Sequence, residues 1–187
     1  MASGNGSNAQ ALVEHGKETG AYEVVGAVTD MKDAYVKERM AKFDVPCEVV
    51  PRQKDRNQHD LNILSALAKF DFDWIVLAGY MRILSDSFLQ EFWDEKIERF
   101  RIINIHPSKL PLFPGIRAYE QAFESGNDES GITVHFVDEG VDTGPVILQK
   151  SFPRLKQDSF EEFKQRGMQL EHQIYKEALE KVIREYP

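Results

Sequence analysis

Two short apolar runs, Asp73–Ala78 (DWIVLA) and Arg101–His106 (RIINIH), constrain the fold of this chain more than any other feature. Both carry large or β-branched apolar residues on successive positions, so neither has the polar face of a strand with one side in water. A strand that is apolar on both faces has to be covered on both, which calls for a sheet between helices. The surrounding pattern supplies them. Strands are predicted at Tyr22–Thr29, Cys47–Val50, Asp73–Ala78, Arg101–His106, Ile132–Val137 and Val146–Phe152. Helices are predicted at Asn8–Lys17, Lys32–Phe43, Arg56–Phe70, Asp86–Phe92, Tyr119–Glu124 and Ser159–Glu185. Strand and helix alternate through the first two-thirds, as in a parallel sheet of right-handed βαβ units. The stretch GITVHFVDEGVDTGPVILQKSF instead reads as an antiparallel pair joined by an acidic, glycine-containing loop. The expected class is therefore α/β: a Rossmann-like, mostly parallel twisted sheet with helices on both faces and an antiparallel C-terminal strand pair. With no repeat or linker, residues 1–187 read as a single domain, long enough to bury a core. Ser7, Ser85 and Ser159 stand at N-cap positions, and Ser159 with Glu162 forms a capping box.

Composition removes several function classes. A net charge of −8 argues against nucleic acid, whose phosphates need a clustered positive field. One cysteine, Cys47, leaves no internal disulfide and no zinc spacing, and the scattered histidines form no metal set. No apolar run approaches the ~20 residues of a membrane span, and the N-terminus lacks the regions of a signal peptide. The expectation is a soluble cytoplasmic protein without a metal.

The opening MASGNGSNAQ holds a glycine loop that admits three readings. Gly4-x-Gly6-x-x-Ala9, with Asp30 after the next strand, fits a dinucleotide fingerprint. The same small residues let backbone N–H groups converge at a helix N-terminus, with Ser7 and Asn8 as further donors, which suits a monophosphate. The third reading is a tight turn capped by Ser7. Local sequence leaves all three open.

The stretch IINIHPSKLPLFPGI is more specific. Residues two apart on a strand share a face, so Asn104 and His106 project together. Pro107 ends the strand, placing both at its carboxyl end, where ligands bind in open α/β sheets. An amide beside an imidazole there suits carbonyl chemistry: Asn104 steadies a developing oxyanion and His106 moves a proton. In HFVDEGVDTGP, the acids Asp138, Glu139 and Asp142 share one loop, and a carboxylate near His106 would hold its tautomer and raise its pKa. The remaining histidines read as background: His15, His59 and His172 as surface or packed residues, His135 as bonding locally.

Taken together, SGNGSN, LAGYMRILS, NIHPSKLPLFPG and VHFVDEGVDTGPVILQ resemble, in order and spacing, the glycinamide ribonucleotide formyltransferase family of purine synthesis. The similarity runs from Ser3 to the C-terminal helix. It implies 10-formyltetrahydrofolate as donor and glycinamide ribonucleotide as acceptor, with Asn104, His106 and Asp142 as the catalytic trio. It also selects the monophosphate reading of the loop, with Gly6, Ser7, Asn8, Ala9 and Gln10 cradling the phosphate and Glu171 contacting the acceptor. Folate would lie against Met81, Arg82, Ile83 and Leu84, against Asp138, Glu139, Gly140 and Val141, and near Arg56 and Asn104. The partners implied are small molecules, with the protein a monomer or homodimer.

The chain departs from the family pattern at Lys109, expected to point outward, at Met168 and at Tyr80. The resemblance also implies an apolar strand ahead of the glycine loop, so the chain reads as N-terminally truncated. Two alternatives share the trio or the fold: a formyltetrahydrofolate deformylase, in which water replaces the amine, and a non-catalytic folate- or nucleotide-binding module. The deformylase typically has HHS where this chain has HPS, and a methionyl-tRNA formyltransferase needs a basic RNA-binding face.

Overall fold

Pro46 sets where the first strand pair begins. Strand β1 (Ala27–Thr29) runs parallel to β2 (Cys47–Val49) in the register Ala27–Cys47, Val28–Glu48, Thr29–Val49. At its ends the Ala27 N–H donates to the Pro46 carbonyl and the Val50 N–H to the Thr29 carbonyl, both at 2.8 Å. Pro46 has no N–H to carry the ladder back toward Tyr22, so the predicted strand Tyr22–Thr29 contracts to its last three residues. The computed structural model describes all 187 residues, Met1–Pro187, and its chain gathers into two compact units, Met1–Ile103 and Asn104–Pro187.

The first unit holds helices α1 (Ser7–Thr19), α2 (Val36–Ala41), α3 (Arg56–Leu67) and α4 (Asp86–Gln90), with strand β3 (Ile75–Leu77) between α3 and α4. Val13, Ala34, Val36, Met40 and Val45 form a buried cluster around Ala2. Residues Met1–Ser3 are paired on two sides. Ala2 N–H donates to Val28 (3.1 Å), Ser3 N–H to Gly79 (3.0 Å), and Ala78 N–H to the Met1 carbonyl (2.8 Å). A small hairpin, β4 (Trp93–Asp94) against β5 (Arg99–Phe100), is absent from the sequence-based expectation. Its turn places Glu98 at φ 51°, a residue type that gives no left-handed signal.

Strand β6 (Ile102–His106) starts in the first unit and ends in the second. Ile75 N–H donates to the Arg101 carbonyl at 2.9 Å, so β3 lies beside the lead-in to β6. In the second unit the strand order is β6, β7 (Glu129–Phe136), β8 (Val146–Pro153). The last two are antiparallel, as expected, with an irregularity at Val134/His135. The sheet is thus mixed, with a parallel and an antiparallel part. Helix α5 (Ala118–Glu124) and the 26-residue α6 (Phe160–Glu185) complete the unit. Ser159 and Glu162 form the predicted capping box. Phe163, Gly167, Glu171, Ile174, Tyr175, Ala178, Leu179 and Val182 are the buried residues of α6, a stripe at helical spacing. Each large apolar side chain in it contributes about 1.5–3 kcal/mol through burial. No helix is long and apolar enough to cross a membrane.

The predicted cap at Ser7 needs correction. Gly6 is the N-cap, in the left-handed region at φ 74°, and no side chain caps α1. A Cβ at Gly6 would lie 2.5 Å from Val36 Cγ2, so only glycine fits this turn against α2. The first N–H groups of α1 are therefore left to other partners. Ser85 caps α4 as expected, accepting from the Phe88 N–H at 3.2 Å.

Candidate active site

Asn104 and His106 leave the same face of β6 and meet Asp142 from the loop between β7 and β8. His106 Nδ1 lies 3.1 Å from Asp142 Oδ2, and both side chains are at least nine-tenths buried. The Asn104 amide Nδ2 donates to Asp142 Oδ1 at 3.3 Å. The expected trio is one cluster. His135 joins it: its Nε2 lies 3.3 Å from Asn104 Nδ2 and 3.4 Å from Asp142 Oδ1, while its Nδ1 meets the Phe136 carbonyl at 2.8 Å. A carbonyl only accepts, so Nδ1 of His135 carries a proton. The local bond expected of His135 is present, but its place in the cluster follows from pairing of β7 beside β6. Alternation in ITVHFV puts His135 on one face without saying what lies there.

Charge and burial compete at this cluster. Burial pulls the pKa of His106 below the ordinary histidine range, against the opposing pull of Asp142 and the Phe113 carbonyl. Asp142 thus raises the His106 pKa, as expected of a neighbouring carboxylate, but desolvation outweighs it. Geometry pulls the other way, because Nε2 donates to the Phe113 carbonyl at 2.8 Å while Nδ1 faces a carboxylate. Two acceptors on two ring nitrogens are satisfied together only by imidazolium. His106 is thus a buried base with both proton positions prepared. Burial also works against the Asp142 carboxylate, but the His135 contact, the Gly115 N–H and His106 outweigh it, and its pKa lies below the usual value. The Gly115 N–H donates to Asp142 Oδ2 at 2.8 Å.

The loop after β6 is pinned to the sheet. Thr133 Oγ1, fully buried on β7, donates to the Ser108 carbonyl at 2.7 Å and accepts from the Leu110 N–H at 3.2 Å. Gln149 Nε2 on β8 donates to Thr133 Oγ1 at 2.8 Å and to the Leu110 carbonyl at 3.0 Å. Phe113, Arg117 and Asp142 hold left-handed backbone at φ 55°, 60° and 56°. Such a conformation costs a non-glycine residue about 1–2 kcal/mol. Two of these three supply a direct partner to His106, so the strain sits where the imidazole is held. Lys109 pairs with Glu129 at the surface, pointing outward as expected.

The other expected site residues separate by unit. In the first, Gly6 is buried and Ser7, Asn8, Ala9 and Gln10 form the half-exposed first turn of α1. Met81 and Ile83 are 68% and 60% exposed, which is unusual for large apolar side chains and leaves them open to an apolar ligand. Arg82 is half-buried and Leu84 is buried. Arg56 donates to the Leu84 carbonyl. Two further residues of α3 hold the same loop: His59 Nε2 meets the Tyr80 hydroxyl at 3.2 Å, and Asp60 Oδ2 accepts from the Ser85 N–H at 2.9 Å. His59 is therefore packed, one of the two outcomes expected for it.

In the second unit, Asp138 accepts from the Gly140 N–H at 3.1 Å and from Thr143 Oγ1 at 2.7 Å, which shapes the acidic loop. Glu139, Gly140 and Val141 are exposed. Glu171 is 9% exposed and accepts from the Tyr119 hydroxyl.

Comparison with known proteins matches the formyl transferase family model over residues 1–179. Phosphoribosylglycinamide formyltransferase of Bacillus subtilis is 40% identical over 187 residues, covering 98% of this chain and 92% of that protein. The trifunctional purine biosynthetic protein adenosine-3 of Drosophila pseudoobscura is 41% identical over 96% of this chain, which spans only 13% of that longer protein. Among solved structures, glycinamide ribonucleotide transformylase 1 from Geobacillus kaustophilus superposes with a TM-score of 0.88 at 39% identity, covering 97% of this chain and 95% of that one.

Proposed function

This chain belongs to the formyl transferase family, and from that premise we infer that Asn104, His106 and Asp142 carry its chemistry. Its activity is that of the phosphoribosylglycinamide formyltransferases: formyl transfer from a folate-derived donor to glycinamide ribonucleotide in purine biosynthesis. The donor in this reading is 10-formyltetrahydrofolate, residues 1–187 act as a single formyltransferase domain, and the setting is the cytoplasm.

The acceptor's amine attacks the formyl carbon, a C–N bond forms, and the carbonyl electron pair moves onto oxygen. Asn104 Nδ2 and the Nε2–H of His106 stabilise that oxyanion as hydrogen-bond donors. Nε2 already donates to an oxygen, the Phe113 carbonyl at 2.8 Å, so the formyl oxygen takes over a bond for which the imidazole is oriented. His106 enters the step as imidazolium, its second proton taken up from solvent against the pull of burial and held between Nδ1 and Asp142. Asp142 balances the imidazolium through Nδ1 and, by way of water, assists transfer of the amine's proton to the leaving folate nitrogen. The bond to that nitrogen then breaks, releasing tetrahydrofolate and the formylated acceptor.

The first turn of α1, from Gly6 to Gln10, takes the acceptor's phosphate, because no side chain caps this helix start and its N–H groups and dipole favour an anion there. Glu171 takes donor groups of the acceptor. In the first unit Met81, Arg82, Ile83 and Leu84 serve folate, with Arg56 acting by holding the Leu84 carbonyl; in the second the 138–141 loop serves it.

The observation that carries the reading is the His106–Asp142 contact at 3.1 Å with Asn104 on the same carboxylate. His106→Ala is expected to remove at least ~10³-fold of formyl transfer while folate binding stays measurable. Near-normal turnover in that variant sinks the mechanism. Donor consumption that proceeds equally with and without glycinamide ribonucleotide identifies a hydrolase instead.

A further inference from the structure

Glu171 is a carboxylate on the buried stripe of α6, 9% exposed, and it accepts a hydrogen bond from the hydroxyl of Tyr119 on α5. Tyr119 is itself 8% exposed. Its ring stands edge-on to Phe163 at 6.3 Å with an interplanar angle of 89°. The path of the ring across α6 depends on Gly167, one turn before Glu171. A Cβ at Gly167 would fall 2.4 Å from Tyr119 Cε1 and 2.7 Å from its hydroxyl oxygen. Gly167 is thus the notch through which the phenol reaches the carboxylate four residues on. Burial and then the Glu171 charge raise the Tyr119 pKa far above the ordinary phenol range, so this donor stays protonated throughout the working pH range.

A buried carboxylate next to an apolar ring is costly unless its oxygens are bonded. A phenol in a glycine notch serves that need, and also fixes which way the carboxylate faces before any ligand arrives. We propose that Tyr119 is a positioning residue for acceptor recognition: its hydroxyl, admitted by Gly167, orients Glu171 to receive the hydroxyl-bearing part of glycinamide ribonucleotide. The chemistry selects that part of the acceptor, since a carboxylate needs donors and a phosphate dianion offers none. The inference rests on the reading that Glu171 contacts the acceptor.

Three variants test it, each assayed with glycinamide ribonucleotide and the formyl-folate donor varied separately. Tyr119→Phe keeps the ring and its packing on Phe163 and removes only the hydroxyl. It is expected to raise the acceptor KM about tenfold, with kcat and the donor KM unchanged, because orientation of one charge-assisted bond is lost. Gly167→Ala, which displaces the ring, is expected to move the acceptor KM in the same direction. In a Glu171→Ala background, Tyr119→Phe is expected to add nothing further to the acceptor KM, as required of a residue that acts only through that carboxylate. An acceptor KM within about twofold of the parent for Tyr119→Phe, while Glu171→Ala raises it, overturns the proposal and leaves the site reading intact. No effect of Glu171→Ala on the acceptor KM overturns that reading itself. A fall in kcat with both KM values raised, together with a lower Tm, assigns Tyr119 to packing alone and also overturns the proposal.

Discussion

Replacing Asp142 by asparagine keeps the shape of the site and removes one negative charge from beside His106. The Nδ1–Oδ2 distance is 3.1 Å, with the side chains only 5% and 10% exposed. Two unit charges at that separation attract by about 5 kcal/mol at an effective dielectric of about 20. Each charge is spread over two atoms, so about half of that, roughly 2–3 kcal/mol, is the working figure for imidazolium stabilisation in the transition state. The expected loss in kcat is then about 30- to 150-fold. The direction of the pH effect follows from the same balance. Burial already pulls the His106 pKa down and Asp142 pulls it up, so removing Asp142 leaves burial less opposed and the pKa falls further. Steady-state formyl transfer at saturating donor and acceptor measures the first effect, and an NMR titration of the labelled His106 ring measures the second. A kcat within about threefold of the parent, or a His106 pKa that rises in Asp142→Asn, refutes the coupling.

Gly6→Ala places a side chain at φ 74° and a Cβ 2.5 Å from Val36 Cγ2. The strained backbone costs about 1–2 kcal/mol and the overlap adds a similar amount. The expected outcome is a lower Tm with a higher acceptor KM, read by thermal unfolding and kinetics; an unchanged Tm removes the reason given for glycine there. Asp158, whose carboxylate accepts two bonds from Arg166, has its pKa lowered to about 2. A depressed carboxyl pKa contributes stability above its unfolded value of 3.8 that is lost as pH falls through about 2. Carboxyl NMR is expected to return Asp158 toward the ordinary value in Arg166→Gln, and an unmoved titration removes Arg166 as the cause.

The cluster around His106 was partly legible in the sequence for a reason that other parts of the chain lack. Asn104 and His106 are two apart on one strand and Pro107 ends it, so local geometry brings them together without knowledge of the rest of the fold. Asp142 lies 36 positions beyond His106, and its role came from resemblance. His135 shows the limit. Its alternation in β7 was plain, but the neighbour that makes it part of the cluster is β6, and strand order is not encoded locally. The helix boundaries show the same division. Where a cap is chemical, as at Ser159 and Ser85, the start was readable. Where backbone shape and packing decide, as at Gly6 against Val36, serine was the wrong choice.

Apolar periodicity, proline positions and side-chain types along the chain determine the α/β class, the end of β6 and the presence of an amide–imidazole pair on one face. These depend on interactions within a few residues, and such interactions are written in order along the chain. Tertiary structure alone decided three other matters: that burial overrides Asp142 in the pKa of His106, that His135 closes the cluster, and that Gly167 admits Tyr119 to Glu171. Each depends on how far a group sits from water or from a partner distant in sequence, and those distances exist only once the chain has packed.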